Sequence, residues 1–331
     1  MFSRVGEKLR GKTAFVNPRR EAYIKPVADK VKIALAQIAP KLGDLKSNLQ
    51  LHLETMDKAQ SQGADLVVFP ELSLTGYLLK DMVPEAALRT NSPEIEKILK
   101  ASEKIAVIFG LAEEDPSYVY YNSACFADGG KIIHIHRKVF LPTYGMFDEG
   151  RFFGQGTSLS AFNTRFGRFG LLICEEAWHS FCPYLLMLDG AILVANIANG
   201  TARGLEEKNR MGSSAVWEKM NRFYSDLHGF YWIFANRVGF EDGVGFWGGS
   251  EIIDPSGKPE LKLPYFEEDL KTAEISLGKV RRARLKTPLL RDEKLDFAIN
   301  ELLRIRSGNH SAPPPKTAKK KTAPKRRRVK K

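Results

Sequence analysis

The sequence predicts a single α/β domain, and two observations support this prediction. Short apolar runs of strand length alternate with helical patterns from residue 32 to about residue 280. The runs are almost continuously apolar, which is typical of strands in sheets covered on both faces. We therefore predict a core domain over residues 32–306, with an N-terminal extension over 1–31 and a separate tail over 307–331.

The N-terminal half alternates strand, helix and strand. The run KIALAQIA (32–39) predicts a strand, and the run that follows has apolar residues at helical spacing, at Leu45, Leu49, Leu53, Met56 and Ala59. DLVVFPELS (65–73) and IAVIFGLAEE (105–114) predict the next two strands, with a helix near 92–104 between them. In VYYNSACFADGGKIIHIHRK (119–138) the DGG sequence predicts a tight turn between two strands.

The C-terminal half continues the same alternation. LSAFNTRFGRFGLLIC (159–174) predicts a second hairpin with its turn at 166–168. Two later apolar runs predict buried strands separated by a long helix around 205–228, GAILVANIAN (190–199) and FYWIFANRV (230–238). SEIIDPSGKPE predicts a further strand and turn, since DPSG supplies turn residues. After residue 280 we expect one short helical stretch and then the tail.

The positive charge of the chain is concentrated at its C-terminus. The 331 residues carry a net charge of +12, and residues 312–331 contain ten Lys or Arg and no acid, which leaves +2 for residues 1–311. The tail is rich in proline and alanine and lacks apolar periodicity, so we predict that it is disordered. Such a segment binds nucleic acid, anionic lipid or an acidic partner electrostatically, or serves only to increase solubility.

Composition also bears on the cellular compartment. No apolar run approaches the ~20 residues needed to cross a bilayer, and the basic N-terminus has no apolar segment of a secretory signal. Cys125, Cys174 and Cys182 form no CxxC pair and no metal-ligand spacing with the six histidines. We therefore expect a cytoplasmic protein with free thiols, no membrane span and no metal site.

Cys174 is the first candidate for chemistry. In FGLLICEEAWHS (169–180) it ends an apolar strand before a turn into a helix, which is an arrangement that presents a nucleophile. A thiol that attacks a carbonyl or nitrile carbon also needs a proton carrier and a group that stabilises negative charge. Histidine is the usual partner, but the spacing of His134, His136 and His179 singles out none of them.

Glu71 and Lys138 are alternative partners for this thiol. Glu71 lies where a buried strand ends, and Lys138 closes the strand KIIHIHRK. Taken alone, each is also explained as a loop residue or a solvated strand end. Because groups at strand ends of an α/β sheet can converge on one rim, we predict that Glu71, Lys138 and Cys174 meet there.

Three segments carry a resemblance to a known family. FPELSLTGY (69–77), HRKVFLPTYGMFDEGRFF (136–153) and LLICEEAW (171–178) resemble, in order and separation, the nitrilase superfamily of carbon–nitrogen hydrolases. The resemblance covers roughly residues 32–280 and implies a four-layer α-β-β-α sandwich with a Glu–Lys–Cys triad. It implies that Cys174 attacks the substrate and forms a thioester and that Glu71 carries protons. Lys138 and the backbone N–H of Glu175 would hold the oxyanion.

Further site residues follow from the same resemblance. A second glutamate assists the triad in this family, and Glu149 in MFDEGRFF is the candidate, with Asp148 beside it as the alternative. Three residues are predicted to bind substrate, Tyr144, Glu175 and Asn199. Trp178 is expected to pack in the core.

The segments LPTYGMFDEGRFF and ICEEAW narrow the resemblance to the glutamine-hydrolysing domain of glutamine-dependent NAD synthetases. Those enzymes carry a second domain with a Gly- and Ser-rich ATP-pyrophosphatase loop, and no such segment occurs in this sequence. We therefore expect a free-standing amidase.

The expected function is hydrolysis of non-peptide carbon–nitrogen bonds in a small amide or nitrile. The reaction needs no cofactor, and the resemblance implies a homo-oligomer. Two alternatives remain open. One is a scaffold that binds nucleic acid or another polyanion through the tail, and the other is an ammonia donor for a separate synthetase.

Overall fold

Two six-stranded β-sheets form the centre of the protein, in a computed structural model that describes residues 28–206 and 210–308. Of these, residues 28–290 form one compact unit and residues 291–308 belong to a second unit. The predicted N-terminal extension and basic tail fall almost entirely outside the described residues. None of the helices within the described ranges is both long and apolar enough to span a bilayer.

The strands of the described residues are numbered in chain order. They are β1 (Lys30–Gln37), β2 (Leu66–Val68), β3 (Ala106–Glu114), β4 (Tyr120–Asp128), β5 (Lys131–Arg137), β6 (Phe162–Thr164), β7 (Gly167–Ile173), β8 (Leu193–Ala198), β9 (Leu205–Glu206), β10 (Arg210–Met211), β11 (Tyr231–Asn236), β12 (Val238–Glu241), β13 (Val244–Trp247), β14 (Glu251–Ile253), β15 (Pro259–Lys262) and β16 (Asp269–Ser276).

The α-helices are numbered in the same way. They are α1 (Leu45–Ser61), α2 (Val83–Ala86), α3 (Pro93–Ala101), α4 (Glu149–Phe152), α5 (Phe181–Leu188), α6 (Gly212–His228), α7 (Gly278–Lys286), α8 (Leu289–Asp292) and α9 (Leu295–Arg306). Short 3₁₀ helices occupy Lys80–Met82 and Cys174–Trp178 in the described ranges. The side chain of Asp44 caps α1 by accepting the N–H of Ser47, and Gly229 ends α6 in the left-handed conformation.

Strand direction brings the ends of several strands to a common edge. The first sheet has the order β16-β1-β2-β3-β4-β5, and the second has the order β15-β14-β11-β8-β7-β6. β2 is parallel to β3, while β4 is antiparallel to β3 and to β5, so β2 and β5 run in the same direction. β7, β8 and β11 are parallel to one another. The residues that follow β2 and β5 therefore lie at the same edge of the first sheet. Likewise, the residues that follow β7 and β8 lie at the same edge of the second sheet.

The packing has four layers. Ile33 and Ile108 of the first sheet pack with Leu171, Ile197 and Ile233 of the second in a core between the sheets. The outer face of the first sheet packs against α1 and α3, and the outer face of the second packs against α5 and α6. The predicted α-β-β-α sandwich is thereby confirmed.

The helix predicted around 205–228 begins later, at Gly212. Gly204 adopts a left-handed φ of 68°, and its carbonyl accepts the N–H of Gly212 at 2.9 Å. Instead of the first turns of the predicted helix, the chain here contains the short antiparallel pair of β9 and β10.

Two other sequence predictions need correction. In the second hairpin Thr164 pairs with Gly167, so the turn consists of residues 165 and 166 and begins one residue earlier than predicted. Gly167 has a φ of 101°, which a side chain at this position would disfavour. After residue 280 the chain continues α7 and then forms α8 and α9, where one short helical stretch was predicted.

We predict that Gly110→Ala destabilises the fold by about 2 kcal/mol or more, because a small core position has no room for an added methyl group. A Cβ at Gly110 would lie 2.2 Å from the backbone nitrogen of Leu72 and 2.8 Å from the carbonyl carbon of Glu71. Urea unfolding followed by circular dichroism measures the change.

Gly245→Ala is the matched control for this substitution. A Cβ at Gly245 has its nearest neighbour 3.1 Å away, in the side chain of Phe240, which is exposed and can move. We expect its effect to stay below about 1 kcal/mol. Equal losses in the two variants would contradict the close approach at Gly110.

Candidate active site

Glu71, Lys138 and Cys174 each follow the end of a strand, as predicted. Glu71 lies shortly after β2, Lys138 directly after β5 and Cys174 directly after β7. Lys138 contacts both Glu71 and Glu149, which lies at the start of α4, and all three side chains are buried. Cys174 belongs to the same electrostatic cluster, since the charges of Glu71, Lys138 and Glu149 all act on its thiol.

The ammonium group of Lys138 is shared by two carboxylates. Its Nζ lies 2.7 Å from Oε1 of Glu71 and 2.8 Å from each oxygen of Glu149. Burial lowers the pKa of Lys138, but the charges of Glu149 and Glu71 together outweigh burial, so its pKa is raised. Lys138 is therefore a fixed cation at any ordinary pH.

Glu149 is a buried carboxylate whose charge is disfavoured by its surroundings. Burial, assisted by the neighbouring charge of Glu71, raises the pKa of Glu149 even though Lys138 acts in the opposite direction. Asp148, the alternative second acid, is exposed. The geometry thus favours Glu149 over Asp148 as the acid that accompanies Lys138.

Glu71 is held by three donors. Lys138 and the side-chain amide of Asn122 both donate to its Oε1 at 2.7 Å, and the backbone N–H of Asn199 donates to its Oε2 at 2.9 Å. The side-chain amide of Asn199 also donates to the backbone carbonyl of Glu71 at 3.0 Å. Asn199, predicted to bind substrate, is therefore engaged with Glu71 through its backbone N–H and its side-chain amide.

Two members of this network were not predicted as site residues. The hydroxyl of Tyr77 donates to Oε1 of Glu149 at 2.7 Å, and burial raises the pKa of Tyr77 well above its usual range. Asn122 lies in β4, where its carbonyl accepts the N–H of Lys138 and its side chain donates to Glu71. Asn122 is a fully buried amide in this strand, and a buried polar side chain of this kind needs a hydrogen-bond partner.

Cys174 lies on a strained turn. Its φ is +45°, a region that non-glycine residues seldom adopt. Burial, followed by the charge of Glu71, raises the pKa of its thiol well above the usual range, although Lys138 opposes this effect. A thiol in this state is protonated at neutral pH and needs a base before it can attack.

Glu176 fixes the turn that carries Cys174. Its Oε2 accepts the N–H of Ile173 at 2.7 Å and contacts Nε2 of His136 at 2.7 Å, while its Oε1 accepts the N–H of Val139 at 2.8 Å. The carboxylate thus connects the end of β7 to the end of β5.

Glu175 and Tyr144 form a more accessible part of the site. The hydroxyl of Tyr144 donates to the two oxygens of Glu175 at 3.1 and 2.9 Å, and about half of Tyr144 is exposed. Burial raises the pKa of Glu175, and burial together with the Glu175 contact raises the pKa of Tyr144 to about 12. Phe147 packs against the ring of Tyr144, and the guanidinium of Arg203 lies over Phe147.

A pocket that is partly open to solvent adjoins Glu149 and Tyr77. Its walls are mainly apolar, and it is lined by Tyr77, Leu78, Lys80, Met146, Phe147, Asp148, Glu149, Phe152 and Phe153. It gives the buried carboxylate of Glu149 a route toward the surface.

The other residues considered from the sequence make packing contacts with aromatic rings. His134 stacks on Phe162, and burial lowers its pKa to about 4. His179 stacks on Phe140. Trp178 is 45% exposed, so the expectation that it packs in the core is wrong; the short 3₁₀ helix places it at the surface, against the edge of Trp217.

The other two cysteines are buried, and burial raises the pKa of Cys182 to about 12. Over the ranges 28–206 and 210–308, no three His, Cys, Asp or Glu side chains are grouped as a metal would require.

Comparison with known proteins identifies the family. A family model described as carbon-nitrogen hydrolase matches residues 32–285. The glutamine-dependent NAD(+) synthetase of Thermotoga maritima is 31% identical over 265 residues, which are 78% of this chain and 44% of the relative. The probable nitrilase C965.09 of Schizosaccharomyces pombe is 30% identical over 267 residues, which are 77% of this chain and 92% of the relative.

Solved structures agree with this comparison. The chain matches a glutamine-dependent NAD+ synthetase from Acinetobacter baumannii with a TM-score of 0.67 and 29% identity, over 76% of this chain and 46% of that chain. A carbon-nitrogen hydrolase from Helicobacter pylori matches in fold, with a TM-score of 0.71 and 22% identity over 83% of this chain and 98% of that chain.

The chain therefore spans about half the length of the synthetases that it matches. The resemblance to the nitrilase superfamily that the sequence motifs carry is confirmed. The chain belongs to the carbon–nitrogen hydrolase family.

Proposed function

We propose that this protein is a thiol-dependent hydrolase of non-peptide carbon–nitrogen bonds and that a small amide is its substrate. The observation that carries the proposal is the buried ammonium of Lys138, held between Glu71 and Glu149 in the electrostatic cluster that includes the Cys174 thiol. This arrangement supplies a nucleophile, a base and a fixed positive charge, which are the three requirements of acyl transfer to sulfur.

In the first half-reaction Glu71 takes the proton of the Cys174 thiol as the sulfur attacks the carbonyl carbon. The carbonyl π electrons move to oxygen, and Lys138 with the backbone N–H of Glu175 stabilises the resulting oxyanion. When the carbonyl re-forms, the carbon–nitrogen bond breaks. Nitrogen receives the proton from Glu71 and leaves as ammonia, and the acyl group remains on Cys174 as a thioester.

In the second half-reaction water attacks the thioester and gives a proton to Glu71. The second oxyanion occupies the same position beside Lys138. Its collapse breaks the carbon–sulfur bond, and the sulfur takes the proton back from Glu71. The sum of the two halves is amide and water going to acid and ammonia, which requires neither an oxidant nor an added cofactor.

The position of Glu175, in contact with Tyr144, supports an amide substrate that carries a positively charged group. Because a carboxylate at the accessible side of the site attracts a cation, the α-ammonium group of an amino-acid amide fits this position. Several relatives are named for glutamine dependence, so glutamine is the first compound to test. A nitrile is the second class, since the same thiol can attack a nitrile carbon.

A role as ammonia donor is a second candidate function. Its support is that relatives named glutamine-dependent NAD(+) synthetases match about three quarters of this chain at about 30% identity. In this case ammonia released by the same chemistry would be used by a separate synthetase.

The homo-oligomer stays a prediction. It is supported by five large apolar side chains that are exposed on α5 and α6, namely Phe181, Leu185, Val216, Phe223 and Leu227. The cytoplasmic location and the domain bounds also stay predictions.

Cys174→Ala should abolish ammonia release from a panel of amides and nitriles that includes glutamine, because it removes the nucleophile. Glu71→Gln should lower kcat by about 10²-fold or more, since it removes the proton carrier. Circular dichroism spectra that match the wild type would show that both variants fold.

Glu149→Gln and Asp148→Asn form a matched pair for the second acid. We expect Glu149→Gln to lower kcat by about 10-fold or more, because it removes one of the two charges that hold Lys138, and Asp148→Asn to change kcat by less than about 3-fold. Equal losses in the two variants, or ammonia release that survives Cys174→Ala, would contradict the proposed roles.

The scaffold alternative depends on the ten cations of residues 312–331. Deletion of these residues should remove salt-sensitive binding to a fluorescent polyanion and leave ammonia release unchanged, because the tail binds by charge alone. Fluorescence anisotropy at two salt concentrations measures the binding. Loss of ammonia release on deletion would assign the tail a part in the reaction.

A further inference from the structure

Arg237 and Glu241 form a buried ion pair outside the groups that the proposed reaction uses. Arg237 follows β11 and Glu241 ends β12; both are almost fully buried, and Nη1 of Arg237 lies 2.6 Å from Oε2 of Glu241. Nη2 of Arg237 donates to the carbonyl of Pro40 at 3.0 Å, and its guanidinium lies 4.4 Å from the ring centre of Phe246. A buried ion pair adds little to the free energy of unfolding, because the cost of desolvating both charges offsets their attraction. The pair can still fix the conformation of the groups that it contacts.

The second oxygen of Glu241 holds a specific stretch of backbone. Oε1 accepts the N–H of Tyr77 at 2.9 Å and the N–H of Leu78 at 2.6 Å. Gly76, just before this stretch, has a φ of 84°, and a Cβ there would lie 3.0 Å from Glu241 and 2.8 Å from the Cα of Leu42. The backbone at Tyr77 is therefore fixed closely against Glu241.

The side chain of Tyr77 transmits this constraint to the candidate active site. Its hydroxyl donates to Glu149 at 2.7 Å, and its ring has edge contacts with Phe147 and Phe246. Phe246 also contacts Arg237, so the ion pair and the Tyr77 ring share a neighbour. Three successive polar contacts thus lead from Glu241 through Tyr77 and Glu149 to Lys138.

We propose that Glu241, held by Arg237, is a positioning residue that acts through Tyr77 to fix Glu149 against Lys138. The inference rests on the proposed hydrolase function and adds two residues to its machinery. Neither Arg237 nor Glu241 contacts the reacting groups, and neither lies at the accessible side formed by Tyr144 and Glu175. Loss of Glu241 should therefore reduce kcat and leave KM nearly unchanged.

A double-mutant cycle with Glu241→Gln and Tyr77→Phe tests the inference. We expect each single variant to lower kcat by about 10-fold with KM within about 2-fold of the wild type. If Glu241 acts through the Tyr77 hydroxyl, Glu241→Gln should lower kcat by less than about 2-fold further in the Tyr77→Phe background. Losses that multiply, or a rise in KM that accounts for the effect of Glu241→Gln, would overturn the inference.

Glu251→Gln is the control for the general cost of removing a buried carboxylate charge. Glu251 in β14 is also buried and contacts Asn221 and Lys262, neither of which touches the candidate site. We expect its kcat to stay within about 2-fold of the wild type. A 10-fold loss in this control would assign the Glu241 effect to general destabilisation. If Glu241→Gln does not fold, Glu241→Asp, which keeps the charge and shortens the reach, takes its place in the cycle.

Alkylation of Cys174 by iodoacetamide, followed by peptide mass mapping, separates this inference from the proposed function. The alkylation rate depends on the charges around the thiol and requires no substrate, and mapping distinguishes Cys174 from Cys125 and Cys182. We expect both single variants and the double variant to share one rate, which differs from the wild-type rate by about 3-fold or more. If the variants share this altered alkylation rate but the wild type hydrolyses no amide, only the hydrolase proposal is refuted. Wild-type alkylation rates in all three variants would refute the positioning role.

Discussion

The buried ammonium of Lys138 is the interaction on which the rest of the site depends. Its Nζ lies within 2.8 Å of oxygens from both Glu71 and Glu149. Two carboxylates this close would repel each other without a cation between them, and a buried ammonium without carboxylates would lose its proton. Each charge therefore requires the others. The hydrogen bonds from Asn122 and Tyr77 occupy further acceptor positions of the carboxylates, so the cluster has little freedom to rearrange.

The sandwich fold supplies the backbone geometry that this cluster needs. Gly110 in β3 lets the segment that carries Glu71 approach the sheet more closely than a side chain would allow. On the other sheet, Cys174 has a positive φ, which costs about 1–2 kcal/mol for a residue with a side chain. The three contacts of Glu176 hold this turn in place. Stored strain of this kind is usual where a functional group must be held in one orientation.

Sequence patterns predicted the buried strands and the three strand-end residues because both signals are local. Apolar runs mark buried strands, and a charged residue or thiol at the end of such a run is visible without the fold. β16 was not predicted, because it is an edge strand with the partly polar sequence DLKTAEIS. Tyr77 and Asn122 were missed as site residues because their partners, Glu149 and Glu71, lie 72 and 51 residues away in the chain.

The thioester on Cys174 is the central claim, and partitioning to hydroxylamine tests it most directly. Two amides of the same acid, one releasing ammonia and the other methylamine, would be hydrolysed with hydroxylamine present, and the ratio of hydroxamate to acid would be measured for each. A shared thioester predicts the same ratio from both amides, since the leaving amine has departed before hydroxylamine or water attacks. A ratio that depends on the leaving amine, or hydrolysis without hydroxamate, would contradict a common acyl-enzyme.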